Sequence, residues 1–194
     1  MCGRLNVVTD PLCQLVTEQL GLKFHAPTNQ DLRPTQQVEV ITTTQRHDLL
    51  HQLSMEWGIQ PSWANRILIN AQAETVATKR TFQLAFKQHR CVVPCSGWYE
   101  WQQQEGQTRK TKYLFSEANG QPLYMAGIYF PHVDSRAQLV TLTTAPTEQC
   151  AAYHHRMPLL IRPNEVEFWL NSQVEALTPL LVAPDDIALN VVAR

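Results

Sequence analysis

In Tyr113-Leu114-Phe115-Ser116-Glu117-Ala118-Asn119-Gly120-Gln121-Pro122-Leu123-Tyr124-Met125-Ala126-Gly127-Ile128-Tyr129, two apolar, aromatic runs flank an Asn-Gly pair. Asn-Gly accepts positive φ at little cost and is a strong local signal for a hairpin turn. The stretch predicts strands over Tyr113 to Ser116 and Tyr124 to Tyr129. On either side, Val38 to Thr43, Ile67 to Ala71, Cys91 to Val93, Leu139 to Thr143 and Leu159 to Arg162 also read as extended. Helix signals are fewer. Asp10 can cap a helix that has Pro11 in its first turn and stops at Gly21, with Leu12, Leu15, Val16 and Leu20 on one face. A second helix is expected from Thr81 to His89, with Phe82, Ala85 and Phe86 inward. A third is expected around Thr147 to Tyr153. A fourth starts near Pro163 and Asn164 and carries Val166, Phe168 and Trp169. Strands outnumber helices without strict alternation. The expected class is α+β: a mostly antiparallel sheet or barrel-like β core with a few flanking helices, not a doubly wound fold.

The chain has 194 residues, 44% of them apolar, enough for a sizeable core. Without repeats or a linker-like stretch, residues 1–194 read as one domain. Sixteen Lys and Arg against seventeen Asp and Glu give a formal charge of −1. That excludes a strongly basic nucleic-acid coat and an acidic tail, and it leaves room for a local basic groove. From Thr78 to Tyr113 seven basic residues (Lys79, Arg80, Lys87, Arg90, Arg109, Lys110, Lys112) face only Glu100 and Glu105. This is either one basic face or a solvated surface. No apolar run approaches about 18 residues, so no membrane span is expected, and no signal peptide is read. Cys2, Cys13, Cys91, Cys95 and Cys150 show no CxxC spacing. Their default reading is small buried hydrophobes, least so for Cys2.

Four segments could carry chemistry. Cys is small enough after Met1 for an aminopeptidase to remove the Met and expose Cys2. An N-terminal Cys holds an amine and a thiol on adjacent carbons, both partly deprotonated near neutrality. It can condense with an aldehyde to an imine and close a thiazolidine ring, or it can attack an amide. It can also be a Cys that merely follows Met. In Arg90-Cys91-Val92-Val93-Pro94-Cys95-Ser96-Gly97-Trp98-Tyr99-Glu100-Trp101, a strand puts Trp98 and Glu100 on one face. Glu100 is then either a desolvated acid-base group or an exposed strand Glu. In Tyr153-His154-His155-Arg156-Met157-Pro158, His is the usual proton shuttle. Adjacent His residues rarely share a metal, so no metal site is expected. Asn70, in Asn70-Ala71-Gln72-Ala73-Glu74-Thr75, can orient an amine or a carbonyl. Trp63, in Trp57-Gly58-Ile59-Gln60-Pro61-Ser62-Trp63, is either a stacking surface for a base or core.

Together these blocks resemble the SRAP family, the SOS-response-associated peptidases or abasic-site processing proteins. Met1-Cys2-Gly3-Arg4, Arg33-Pro34-Thr35-Gln36, the Trp57 to Trp63 block, Asn70-Ala71 to Glu74-Thr75, the Arg90 to Trp101 block, Ala126-Gly127, Thr143-Thr144 and His154-x-Arg156-Met157-Pro158 follow in the family's order. The resemblance covers nearly the whole chain. It implies a protein that binds single-stranded DNA and traps abasic sites as a thiazolidine crosslink through Cys2. It assigns Asn70 to orient the Cys2 amine, Glu100 to proton transfer at the imine, and His154 to acid-base work in sugar ring opening and crosslink reversal. His154 fits rather than His155, because the family His lies two residues before Arg-Met-Pro. Arg4, Trp63, Lys79 and Arg156 become candidates for the DNA groove, with Gln72 at the position where the family has a phosphate-contacting Arg. Trp98 replaces a usual Phe, and Asp31 stands where Asn is common. A retained Met1 would turn the Cys2 amine into an amide and block the ring.

The resemblance implies no cofactor and no metal. The expected partner is single-stranded DNA with abasic sites, bound by a monomer in the cytoplasm, at the nucleoid after DNA damage. Two other readings use the same residues. One is a thiol peptidase, at minimum removing its own Met1 through Cys2. The other is a non-catalytic single-strand-binding module, indifferent to Cys2→Ala.

Overall fold

A computed structural model of the chain describes residues 3–43, 49–104, 106, 108–132 and 136–194. In chain order the elements are β1 (Leu5–Val7), α1 (Thr9–Leu20), β2 (Asn29–Leu32), β3 (Gln37–Thr43), β4 (Leu50–Trp57), β5 (Asn70–Gln72), α2 (Gln83–Gln88), β6 (Arg90–Cys95), β7 (Gly97–Gln102), β8 (Thr111–Glu117), β9 (Leu123–Phe130), β10 (Gln138–Thr144), α3 (Glu148–Ala151), β11 (Met157–Pro158), β12 (Leu160–Ile161), α4 (Val166–Asn171) and β13 (Leu189–Ala193). Short 3-10 turns flank α4 at Pro163–Glu165 and Val174–Leu180.

The strands form two sheets. In the larger, β3 pairs with β4 and β6, β6 with β9, β9 with β10, and β10 with β4, so five strands close on themselves. Only the β10–β4 contact in this ring is parallel. Closure explains why β6 is an unbroken buried run: one face fills the barrel, and α1, α2 and α4 pack on the strand. Val40, Ile41, Met55, Trp57, Val92, Met125, Leu139 and Val140 fill the core. The short β5 runs parallel to β10, while β11 and β12 add antiparallel pairs to β10 and β9. The second sheet has the order β13-β8-β7-β1-β2, all antiparallel. The α+β, mostly antiparallel, barrel-like expectation is met.

The opening hairpin is not. Gly120 makes its turn at φ 76°, and Glu117 caps it by accepting from the Asn119 and Gln121 N–H groups. Yet β8 pairs with β7 and β13 while β9 pairs with β6, β10 and β12, so the turn passes the chain from one sheet to the other. Local turn chemistry bends the chain, and long-range burial chooses the partners. The first helix is regular only from Pro11, because Asp10 is extended (φ −112°, ψ 124°). Gly21 ends it in the left-handed region, donating to the Thr17 carbonyl. The second helix is shorter than expected, since Phe82 precedes its first turn. The strand expected over Ile67 to Ala71 is β5, shifted toward Gln72.

Arg90 corrects the basic face. Its side chain is inside, not on a solvated surface, and the residue is 7% exposed. Nε donates to the Trp169 carbonyl, Nη1 to those of Phe86 and Lys87, and Nη2 to those of Leu170 and Ser172. These carbonyls terminate α2 and α4, where the helix dipole is negative. Cys91, Cys95 and Cys150 are buried and Cys13 is half-buried, all as free thiols. Among the described residues no helix is long and apolar enough to cross a membrane.

Candidate functional site

β7 carries Glu100 into the seam beside the barrel. Its start needs Gly97, because a Cβ there would lie 2.2 Å from the Phe115 carbonyl oxygen on β8. Trp98 then stacks on Phe115 at 4.8 Å, anchoring the strand. Glu100 is 4% exposed, so the exposed-strand alternative fails. Burial pushes its carboxyl up to about 7. A carboxyl poised there can both give and accept a proton at neutral pH. β1 lies alongside, with Leu5 opposite Trp98, Asn6 opposite Gly97, and the Tyr99 N–H donating to the Arg4 carbonyl. The same register, continued, sets Gly3 level with Glu100. Cys2 and Met1 lie outside the described residues.

The segment after α3 bridges both sheets. Toward β7 and β8, the Tyr153 ring packs edge-on against Tyr113 and Phe115, and Gln102 Nε2 donates to the Ala152 carbonyl. His154 follows, stacked on His155 at 4.3 Å. Burial lowers its basicity; the Arg156 main-chain hydrogen bond opposes that, and Lys110 and His155 add to it. His154 Nδ1 lies 3.0 Å from both the N–H and the carbonyl oxygen of Arg156. Toward the barrel, Arg156 reaches Glu74 with both Nη groups at 2.8 Å, and Nη2 also donates to the Thr143 carbonyl. Asn70 sits on β5, where its Oδ1 accepts from Thr141 Oγ1 at 2.6 Å. That bond fixes the amide with its nitrogen as the remaining donor end. Asn70, Glu100 and His154 thus come from three segments that these contacts tie together.

The groove candidates divide. Trp63 is 66% exposed, so the core alternative fails, and it borders a cavity of about 340 Å³ with Ile59, Pro61 and Phe130. Gln72 and Lys79 are exposed. Arg4 packs over the Trp101 ring and is paired with Asp31, which also accepts from Arg33 Nε at 2.9 Å. Two guanidinium groups hold the Asp31 carboxyl down at about 2. Arg156 directs both Nη groups to Glu74 and Thr143 and so ties segments together. Sequence reasoning quoted Glu74 without giving it a role and missed Thr141 altogether. Glu74's spacing in the Asn70 block was the one available signal. Among the described residues no group of three His, Cys, Asp or Glu comes together to hold a metal.

The model of the SOS response associated peptidase (SRAP) family matches residues 1–193. The chain belongs to the SRAP family. Among its relatives, the abasic site processing protein YedK of Escherichia coli is 30% identical over 140 residues, covering 70% of this chain. The match spans 62% of YedK, less than two thirds of its length. The abasic site processing protein YoaM of Bacillus subtilis is 28% identical over 195 residues, covering 88% of this chain and 79% of YoaM. A crystal structure of a Bordetella bronchiseptica protein superimposes with a TM-score of 0.84 at 18% identity, covering 100% of this chain and 99% of that one. That likeness concerns the SRAP fold alone. It agrees with the two-sheet arrangement that sets Glu100 beside the first strand.

Proposed function

We propose that this SRAP chain binds single-stranded DNA and traps abasic sites through Cys2 once Met1 has been removed. The buried Glu100 carboxyl, held near neutrality beside the first strand, is the observation that carries the reading. The names of YedK and YoaM point the same way.

The ring-opened abasic sugar presents an aldehyde. The neutral Cys2 amine attacks its carbon to give a carbinolamine. Protonated Glu100 delivers a proton to the departing hydroxyl, which leaves as water; the iminium returns its N–H proton to the Glu100 carboxylate, and an imine remains. The thiol sulfur then adds to the imine carbon as its proton passes to nitrogen, closing a five-membered thiazolidine. His154 acts earlier, moving protons between the sugar hydroxyl and the ring oxygen as the sugar opens. Asn70 holds the amine. Trp63 and Lys79 offer a stacking face and a cation to a strand bound without regard to sequence, and Gln72 contributes a neutral contact where the family's usual Arg would contribute a charge.

Denaturing electrophoresis tests this directly. Protein mass-checked for loss of Met1 is mixed with a single-stranded oligonucleotide carrying one abasic site. The expected result is a shifted band that is absent with intact DNA and absent in Cys2→Ala. No shift with Met1 gone overturns the reading. Peptide cleavage in trans that Cys2→Ala abolishes would replace it with the thiol peptidase.

A further inference from the structure

Glu74 stands outside the chemistry just described, yet three segments meet on its carboxylate. Oε1 accepts from Arg156 Nη1 at 2.8 Å and from the Ala145 N–H at 3.2 Å, while Oε2 accepts from Arg156 Nη2 at 2.8 Å. A two-point carboxylate–guanidinium pair fixes orientation as well as distance. Through Ala145 and the Thr143 carbonyl, the pair is pinned to the end of β10, the strand whose Thr141 holds Asn70. Through the Arg156 main chain it reaches His154, because the Arg156 N–H and carbonyl each lie 3.0 Å from Nδ1.

That peptide can serve His154 in both protonation states. A neutral ring with a bare Nδ1 accepts from the N–H, and a ring protonated at Nδ1 donates to the carbonyl. The imidazole keeps its place while its proton inventory changes, as long as the peptide stays put. The Arg156 side chain is what keeps it put, with 14% exposure against 44% for Glu74.

We propose that Glu74 is a positioning residue for His154: its carboxylate locks Arg156, and the Arg156 peptide holds the imidazole. This rests on the acid-base role given to His154 above. Among the described residues, the charged and titratable groups near that ring include His155, Lys110 and Arg156, with Glu74 behind Arg156; the chain's amino terminus also acts on it, lowering its basicity.

The test has two arms on the full-length protein. The first needs no DNA. NMR titration of the His154 ring is compared in wild type, Glu74→Ala, Glu74→Gln and Glu74→Asp. Wild type titrates below the ordinary value of about 6.5. Glu74→Ala is expected to move the titration away from the wild-type value, because the Arg156 main-chain bond that raises it and the burial that lowers it are both disturbed when Arg156 swings into water. The second arm measures single-turnover trapping of an abasic oligonucleotide, and separately the affinity for the same strand without the lesion. The trapping rate falls about tenfold in Glu74→Ala and about threefold in Glu74→Gln, while Glu74→Asp recovers most of it and affinity changes less than twofold. Glu74→Gln keeps the shape of the clamp, so it carries the test if Glu74→Ala does not fold. A His154 titration that stays in place, or rate and affinity falling together without rescue by Asp, overturns the proposal. A wild-type protein that traps nothing defeats the functional reading instead, and the titration still decides Glu74.

Discussion

Arg90 and Arg156 are both guanidinium groups drawn in from solvent, and they are satisfied in opposite ways. Among the described residues, Arg90 has no carboxylate partner. Five main-chain carbonyls at the ends of α2 and α4 receive its donors, and the Phe86 and Trp169 rings lie about 6 Å away. Burial lowers it only to about 10, so it stays charged at any physiological pH. Arg156 is matched by one half-exposed carboxylate and ties together loops that carry acid-base groups. Glu100 is buried in the seam, and that burial raises its carboxyl. Around Arg90, charge is arranged to hold helices onto the barrel. In the seam, a buried carboxyl is raised to near neutrality, and stability is given up for it.

Removing each guanidinium should separate the two regions most clearly. Arg90→Ala strands five helix-end carbonyls in the core and is expected to cost about 3–4 kcal/mol in urea unfolding. Arg156→Ala leaves Glu74 beside water and should cost about 1 kcal/mol. Equal losses would erase the distinction.

A comparable effect is expected from Glu100→Gln, and it depends on pH. The native carboxyl sits at about 7, above an unfolded value of about 4.3. Between these values the native state binds a proton that the unfolded state has released. This contribution is fully present below about 4.3, is lost as pH rises to 7, and changes no further above it. The total is about 3–4 kcal/mol. Gln cannot titrate, so Glu100→Gln should be more stable than wild type at pH 8 by up to that amount and indistinguishable near pH 4. Urea midpoints at several pH values decide it, and a pH-independent difference would remove Glu100 from the proton-holding region.

The smallest effect belongs to the edge of the seam. Asp31 neutralises Arg4 and Arg33 together. Asp31→Asn should raise affinity for a single strand by about two- to fivefold at low salt, with the gain gone near 0.5 M as screening sets in. Fluorescence anisotropy at several salt concentrations reads it. A loss of affinity would mean that Asp31 aims Arg4 rather than occupying it.

The barrel was legible because its strands are apolar on the face that closes it, as in Cys91-Val92-Val93 and Leu139 to Thr143. The strands that escaped notice have mixed faces. In β4 only Met55 and Trp57 are buried, β2 reads Asn-Gln-Asp-Leu, and β13 is half-exposed at a sheet edge. Asn119-Gly120 announced a turn, but pairing is decided by burial over long separations, which a dipeptide does not encode. Arg90 read as one more basic residue because three of its five carbonyl partners lie about eighty positions away. In the seam, the desolvation of Glu100 could be read from its aromatic neighbours. The Glu74–Arg156 tie could not, since its two ends are 82 residues apart.

The pairing of β1 with β7 has a consequence for the nascent chain. Leu5 and Asn6 find their partners only at Trp98 and Gly97. A ribosome adding roughly 5–20 residues per second needs about 5–20 s to make that interval. Throughout it, the first strand has no β7 to dock on, and its N-terminal end stays open to any processing enzyme waiting at the exit tunnel. Any trimming of Met1 at the exit tunnel would therefore precede the seating of β1 on β7.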